Sequence, residues 1–178
     1  MKWIYKPFHL FSFNFEKEIK PIYPELYQEA VEQRTFLEEA NSFPLKASTH
    51  GDFLYKLFIS SCRKFLKTFS LIPQNYKVWC HVSDKTFSRT SWHNHIPTST
   101  INGVLYLKTV PKAGIEFELG NASFYYEPAS CECIVFPNYL DHCPHTSKTE
   151  EKKISLNLEL RCKESAKMIF KSDNYSNF

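Results

Sequence analysis

Three histidines carry the chemistry this sequence can do. His93 and His95 stand two residues apart in Trp92-His93-Asn94-His95, and His142 lies far along the chain in the turn-rich run Asp141-His142-Cys143-Pro144. On a strand, residues two apart share a face, so the pair predicts two imidazoles aimed at one point. Imidazole nitrogens bind intermediate transition ions such as iron, zinc, nickel or copper. Three protein ligands leave coordination positions open, which suits reaction better than structural stapling. Carboxylates that could join them are Asp84, Glu116, Glu118 and Asp141; Asp141, directly before His142, could instead hold a loop. His9, His50, His81 and His145 read as packed or surface histidines.

Converging histidines so far apart in sequence need strands that meet around one pocket. The hydrophobic pattern supplies them. Phe11, Phe13 and Phe15 alternate and predict a short strand added to a sheet edge. Pro24 to Ala40 reads as a helix with a stripe of Leu26, Ala30, Gln33 and Leu37, ended by Asn41 to Pro44. Asp52 to Phe69 reads as a second helix, capped by Asp52, with Leu54, Phe58, Cys62, Phe65 and Phe69 at helical spacing. Pro73 closes this helical part. From Tyr76 the period changes to two: Tyr76, Val78, Cys80 and Val82 take one face, and Lys77, Trp79 and His81 the other. After a polar loop from Ser83 to Ser91 come a strand holding His93 and His95 and strands predicted over 103–109, 115–119, 123–126, 131–136 and 154–160. The tail after Cys162 is polar and is expected to fray. Many short strands divided by turn residues predict a sandwich or barrel, with helices backing one sheet.

Composition sets the class. The 178 residues are enough for one domain with a single core, and 43% hydrophobic residues with 16% aromatics exclude a disordered chain. The expected organisation is one domain over 1–178, with helical support over 24–70 and a metal-binding β core over 76–160. A net charge of +3 gives no signal for a nucleic-acid groove or a polybasic membrane surface. There is no run of eighteen apolar residues and no secretory hydrophobic core at the start, so a soluble, cytoplasmic protein is expected. The six cysteines are read as free thiols, including the pair Cys131 and Cys133, whose CxC spacing suits packing on one strand face.

By spacing alone the histidines fit a cupin-type barrel and a jelly-roll oxygenase equally. The flanking residues separate the two. Trp79-Cys80-His81-Val82, the WHNH run, Asn102 to Leu107, Gly114-Ile115-Glu116-Phe117, Val135 to His142 and Ile154-Ser155-Leu156-Asn157 together resemble the small bacterial and phage oxygenases that use ferrous iron and 2-oxoglutarate. The resemblance spans about residues 76–160. It implies a double-stranded β-helix (jelly roll) and a dioxygenase that oxidises a small-molecule or peptide substrate while releasing succinate and CO2.

In that superfamily the metal is held by HxD or HxE and a distal histidine. The resemblance places His93 and His95 at the first two positions and His142 at the third. His95 stands where the usual carboxylate would be, and Glu118 is a candidate to compensate. Members also hold the far carboxylate of 2-oxoglutarate with a basic residue on the strand after the distal histidine. Lys153, eleven residues beyond His142, fills that place; Arg161 lies beyond the matched segment. Ser155 shares the parity of Lys153, and Tyr106 is expected on the facing wall, so both are candidates to add hydroxyls. Trp79, Trp92 and Phe136 are expected to wall the pocket. Two alternatives stand beside the oxygenase: a cupin-like mononuclear-metal enzyme, for which the glutamate expected soon after HxH is missing, and a non-catalytic binding module. The sequence fixes neither the substrate nor the oligomeric state.

Overall fold

The computed structural model describes residues 2–5, 9–36, 42–44, 50–85 and 91–164. Its strands form two antiparallel sheets. The seven-stranded sheet runs β1 (Lys2–Tyr5), β2 (Leu10–Asn14), β8 (Glu132–Pro137), β5 (Ile101–Lys108), β10 (Lys153–Glu164), β4 (Leu71–Ser83) and β3 (Ser42–Pro44). The three-stranded sheet runs β7 (Ala122–Tyr126), β6 (Ile115–Leu119) and β9 (Asp141–Pro144).

Strict alternation along the central strands divides the interior in two. On β10, Ile154, Leu156, Leu158 and Leu160 join a core with Cys80 and Val82 of β4, Ile101, Leu105 and Leu107 of β5, and Cys133 and Val135 of β8. Helices cover this face: α2 (Tyr23–Phe36) brings Leu26 and Ala30, and α3 (Gly51–Thr68) brings Leu54, Phe58, Cys62 and Phe65. The opposite face of the same sheet turns Val104, Tyr106, Ile134 and Phe136 toward Ile115 and Phe117 of the smaller sheet. Period two therefore puts the helix-facing core on one parity and the space between the sheets on the other. The fit of α3 is close. A Cβ built on Gly103 would lie 2.4 Å from the Phe58 ring, so only glycine lets this turn of helix lie against β5.

The first helical segment starts earlier than expected. A short helix α1 (Glu16–Ile19) and a 3-10 turn (Lys20–Ile22) precede α2. Its expected end at Leu37 to Ala40 lies outside the described residues, as do residues 86–90 of the polar loop and the tail beyond Glu164. Asn41 to Pro44 does more than end a helix: Ser42–Pro44 is strand β3, paired with β4. Asp52 is not the cap of α3. His50 holds the N-cap position, and Asp52, inside the first turn, accepts a bond from the Tyr76 hydroxyl at 2.8 Å. Pro73 does not close the helical part but lies within β4, opposite Cys162 at a register shift. Among the described residues that part of β4 has no partner on its β3 side, where pairing begins at Trp79, so a missing N–H is tolerated there. The 10–14 strand is not the outermost one, because β1 pairs outside it. Cys131 precedes β8 rather than opening it; its φ of 63° breaks the extended run, and its N–H donates to the Tyr106 carbonyl at 2.7 Å. Among the described residues no helix is long and apolar enough to cross a membrane.

Candidate metal and anion site

His142 is on a strand, not in the turn-rich segment its neighbours suggest. β9 pairs with β6, setting His142 opposite Phe117, with the Phe136 ring edge-on at 4.9 Å. The reverse holds for the His93–His95 pair. His93 makes a single antiparallel bridge to His142, with N–H donors at 3.1 and 2.9 Å in the two directions. His95 has already left the strand. Its N–H donates to the Asn138 carbonyl, and its own carbonyl accepts from the N–H groups of Thr98 and Ser99, all at 3.0 Å. Asn94 between them donates to Asp141 Oδ1 at 2.8 Å, so Asp141 does hold this loop. The three rings converge without a shared strand: His93 and His142 are 4.2 Å apart by centroids, His95 and His142 5.1 Å. One ligand nitrogen from each lies within 4.8 Å of the other two.

Outer partners decide which nitrogen that is. His93 Nδ1 donates to the Ser91 carbonyl at 2.9 Å and His142 Nδ1 to the Leu140 carbonyl at 3.0 Å. A carbonyl oxygen only accepts, so Nδ1 carries the proton in both rings. His95 Nδ1 lies 2.6 Å from Glu159 Oε1. Burial raises the Glu159 carboxyl, but hydrogen bonds from His95 and Thr98 and the charge of Lys77 outweigh it and hold it below the ordinary glutamate range. An ionised carboxylate also only accepts. All three rings thus keep Nε2 as a free lone pair, the arrangement that outer partners create for metal-binding histidines. Burial, against the Leu140 bond, pushes His142 down to about 3, so its ring stays neutral and able to ligate.

A cavity of about 190 Å³ opens beside the rings, lined by Trp79, Tyr106, Phe136, Lys153, Ser155 and Asn157 among others. At ~30 Å³ per water it holds roughly six waters, the room of a small acid rather than a drug-sized ligand. Lys153 lines it with only 2% of its surface exposed. Its Nζ donates to the carbonyls of His145 at 2.6 Å and Gly114 at 3.2 Å, which leaves one of three N–H donors for the cavity. Among the described residues no carboxylate pairs with it, and burial pushes it down to about 7. The Tyr106 ring lies 5.3 Å from Nζ, and among the described residues its buried hydroxyl has no hydrogen-bond partner. Asn102 Nδ2, on the same face of β5, is equally without one. Asn102 lies opposite Glu159, at the far end of this face from Lys153; buried donors are nearly always paired, so the Tyr106 hydroxyl and the spare ammonium N–H on one wall fit an anionic oxygen ligand.

Other expectations divide. Trp79 and Phe136 line the cavity, whereas Trp92 is 46% exposed and does not. Glu118 is exposed and outside the histidine group; Glu116 pairs with His145 at 3.3 Å, and Asp84 is buried elsewhere. Arg161 is exposed and faces a separate groove, while Lys152 lies before β10. Ser155 shares the cavity face with Lys153, as parity requires. Glu159 was missed. The signal was available: it is six residues beyond Lys153 in a strictly alternating run, so it shares the polar face of Lys153 and Ser155.

No family model matches the chain, and no curated protein matches it at a significant level. Solved structures do resemble it. The crystal structure of a Pseudomonas putida prolyl-4-hydroxylase superposes with a TM-score of 0.63 over 85% of this chain and 91% of its own, at 13% identity. The non-heme alpha-ketoglutarate-dependent epimerase SnoN of nogalamycin biosynthesis gives 0.61 over 86% and 78%, at 13% identity. A Trichoplax adhaerens prolyl hydroxylase in complex with a hypoxia inducible factor oxygen degradation domain peptide gives 0.59 over 88% and 84%, at 12% identity. At these identities the likeness is one of fold: the two antiparallel sheets and the helices that back them are an arrangement this chain shares with those proteins.

Proposed function

We propose that this chain is an Fe(II)- and 2-oxoglutarate-dependent dioxygenase that oxidises a small-molecule or peptide substrate with release of succinate and CO2. One observation carries the reading: three histidines with Nε2 free converge beside a cavity lined by a buried lysine that, among the described residues, has no carboxylate partner. The fold neighbours named above, one of them alpha-ketoglutarate-dependent, support it. The two sheets are then the facing walls of a double-stranded β-helix, with 76–160 as its core, 24–70 as helical support and the whole chain as one domain. Six free cysteines suit a reducing, cytoplasmic setting.

Each residue has a task in this scheme. His93, His95 and His142 hold the ion through Nε2 and leave positions open for cosubstrate and oxygen. Lys153 meets the far carboxylate of 2-oxoglutarate as a point charge, and Tyr106 and Ser155 add hydroxyl donors. Trp79 and Phe136 exclude water from the cavity and orient the rings around it. When bound, iron with 2-oxoglutarate supplies the oxidising power for a substrate C–H bond; the protein supplies ligation, orientation and a dry wall.

Anaerobic addition of Fe(II) and 2-oxoglutarate tests this directly. A weak visible charge-transfer band that needs both components is expected, together with succinate formation on admission of oxygen. Tight metal binding with no response to 2-oxoglutarate would reject the oxygenase and favour a cupin-like centre.

A further inference from the structure

We propose that Glu159 supplies the negative charge of the metal centre, acting on the ion through His95 rather than as a ligand. The inference rests on the reading that His93, His95 and His142 hold a divalent ion. Three neutral imidazoles bring no charge to a dication. His93 and His142 are backed by peptide carbonyls, at 2.9 and 3.0 Å. His95 is backed by a carboxylate at 2.6 Å, with side chains only 16% and 8% exposed. A carboxylate on Nδ1–H makes Nε2 a stronger donor and fixes the ring's direction.

The pair is built into one unit. Thr98 Oγ1 donates to the same Oε1 at 3.0 Å, and Thr98 N–H donates to the His95 carbonyl at 3.0 Å. The turn that carries His95 thereby also holds its acid. Glu159 itself is set by β10 pairing, opposite Asn102 on one side and Lys77 on the other, so its position belongs to the sheet rather than the loop. It is a positioning residue, and its charge lies across the His95 ring from the nitrogen that would hold the ion.

Zinc(II), a diamagnetic ion that the same nitrogens accept, is the probe. Its dissociation constant is measured by chelator competition for wild type, Glu159→Gln, Glu159→Asp and Thr98→Val, and imidazole proton and nitrogen resonances are recorded for each loaded protein. Loss of the carboxylate in Glu159→Gln is expected to weaken zinc binding roughly 10- to 100-fold. The His95 Nδ1 proton, far downfield in wild type, should move upfield while those of His93 and His142 stay. Thr98→Val keeps the charge but removes one donor to Glu159 Oε1, and should weaken zinc binding less than Glu159→Gln does. If the Gln variant does not fold, the Asp variant carries the test: its carboxylate is one methylene short of His95, so affinity and proton should change in the same direction. Equal affinity of wild type and the Gln variant would overturn the inference and leave the metal site standing. So would weaker binding with an unmoved His95 proton, or an oxygen ligand in the X-ray absorption of wild type that the Gln variant lacks. Wild type that takes up no zinc would end both readings.

Discussion

Lys153 and Glu159 stand on one face of β10, six residues apart, with Ser155 and Asn157 between them. The strand thus presents a polar row from a buried cation to a buried anion, while Ile154, Leu156, Leu158 and Leu160 on the other parity close the core under the helices. The cation end borders the cavity, and the anion end backs His95. One strand therefore sets the distance between the proposed cosubstrate anchor and the proposed metal.

Replacing any one of His93, His95 or His142 by alanine removes a ligand rather than an outer partner. The expected loss in metal affinity exceeds the roughly 10- to 100-fold typical of an outer partner. Anaerobic titration of Fe(II), or of Co(II) followed by its visible spectrum, measures this. Wild-type stoichiometry and affinity in all three variants would exclude the histidine site.

Lys153→Ala should weaken 2-oxoglutarate binding to the metal-loaded protein by about 2–4 kcal/mol, roughly 30- to 1,000-fold, because a desolvated carboxylate is left unpaired. Metal affinity without 2-oxoglutarate should barely change, since Nζ bonds carbonyls and not the histidine group. Calorimetric titration of both ligands separates the two. Equal 2-oxoglutarate constants in wild type and variant would remove Lys153 from the anchor role.

The same lysine gives a pH signature. Burial lowers Lys153 from its ordinary 10.5 to about 7, so between those values the unfolded chain binds the extra proton and the folded chain does not. Stability from this group therefore climbs as pH rises from about 7 toward 10.5, and its burial cost is fully felt below about 7. Lys153→Met, free of that titration, should be the more stable protein at pH 7, with a gap that narrows toward pH 10. Denaturant unfolding of both proteins across this range reads it; a gap independent of pH would refute it. Anion binding has the opposite dependence. It needs the protonated lysine, so 2-oxoglutarate affinity should fall above about pH 7.

Much of this was legible because a strand's period is two. Parity alone put Lys153 and Ser155 on one face, and Trp79 and His81 opposite the core residues Cys80 and Val82 of β4. What parity could not give was tertiary. His93 and His95 meet through one bridge and one turn, not through a common strand, because His95 is drawn to Asn138 and to Glu159. β9 was hidden by its length and its proline, since four residues carry too little alternation to register. The parity of Glu159 was legible, but its place behind His95 was not: that is set by pairing with β5 and the turn at Thr98. Asp52 looked like a helix cap by residue type, yet its partner is Tyr76, twenty-four residues away.

The contact between Gly103 and Phe58 offers a prediction about the scaffold. Gly103 is buried at the third residue of β5, and an added Cβ would come within 2.4 Å of the Phe58 ring on α3. That ring is only 1% exposed and packed in the helix-facing core, so it cannot swing into solvent. Gly103→Ala must therefore lift the helix or force the ring off its rotamer, a cost of about 1–3 kcal/mol. A second change should recover part of the loss: Phe58→Leu makes room for the new methyl. The two sites touch, so their effects should not add. Chemical denaturation of the four members of the cycle gives the coupling directly. Since Gly103 faces the helices and its neighbours Asn102 and Val104 face the cavity, metal affinity should follow stability only weakly. Additive losses would mean that α3 does not press on β5 at this point.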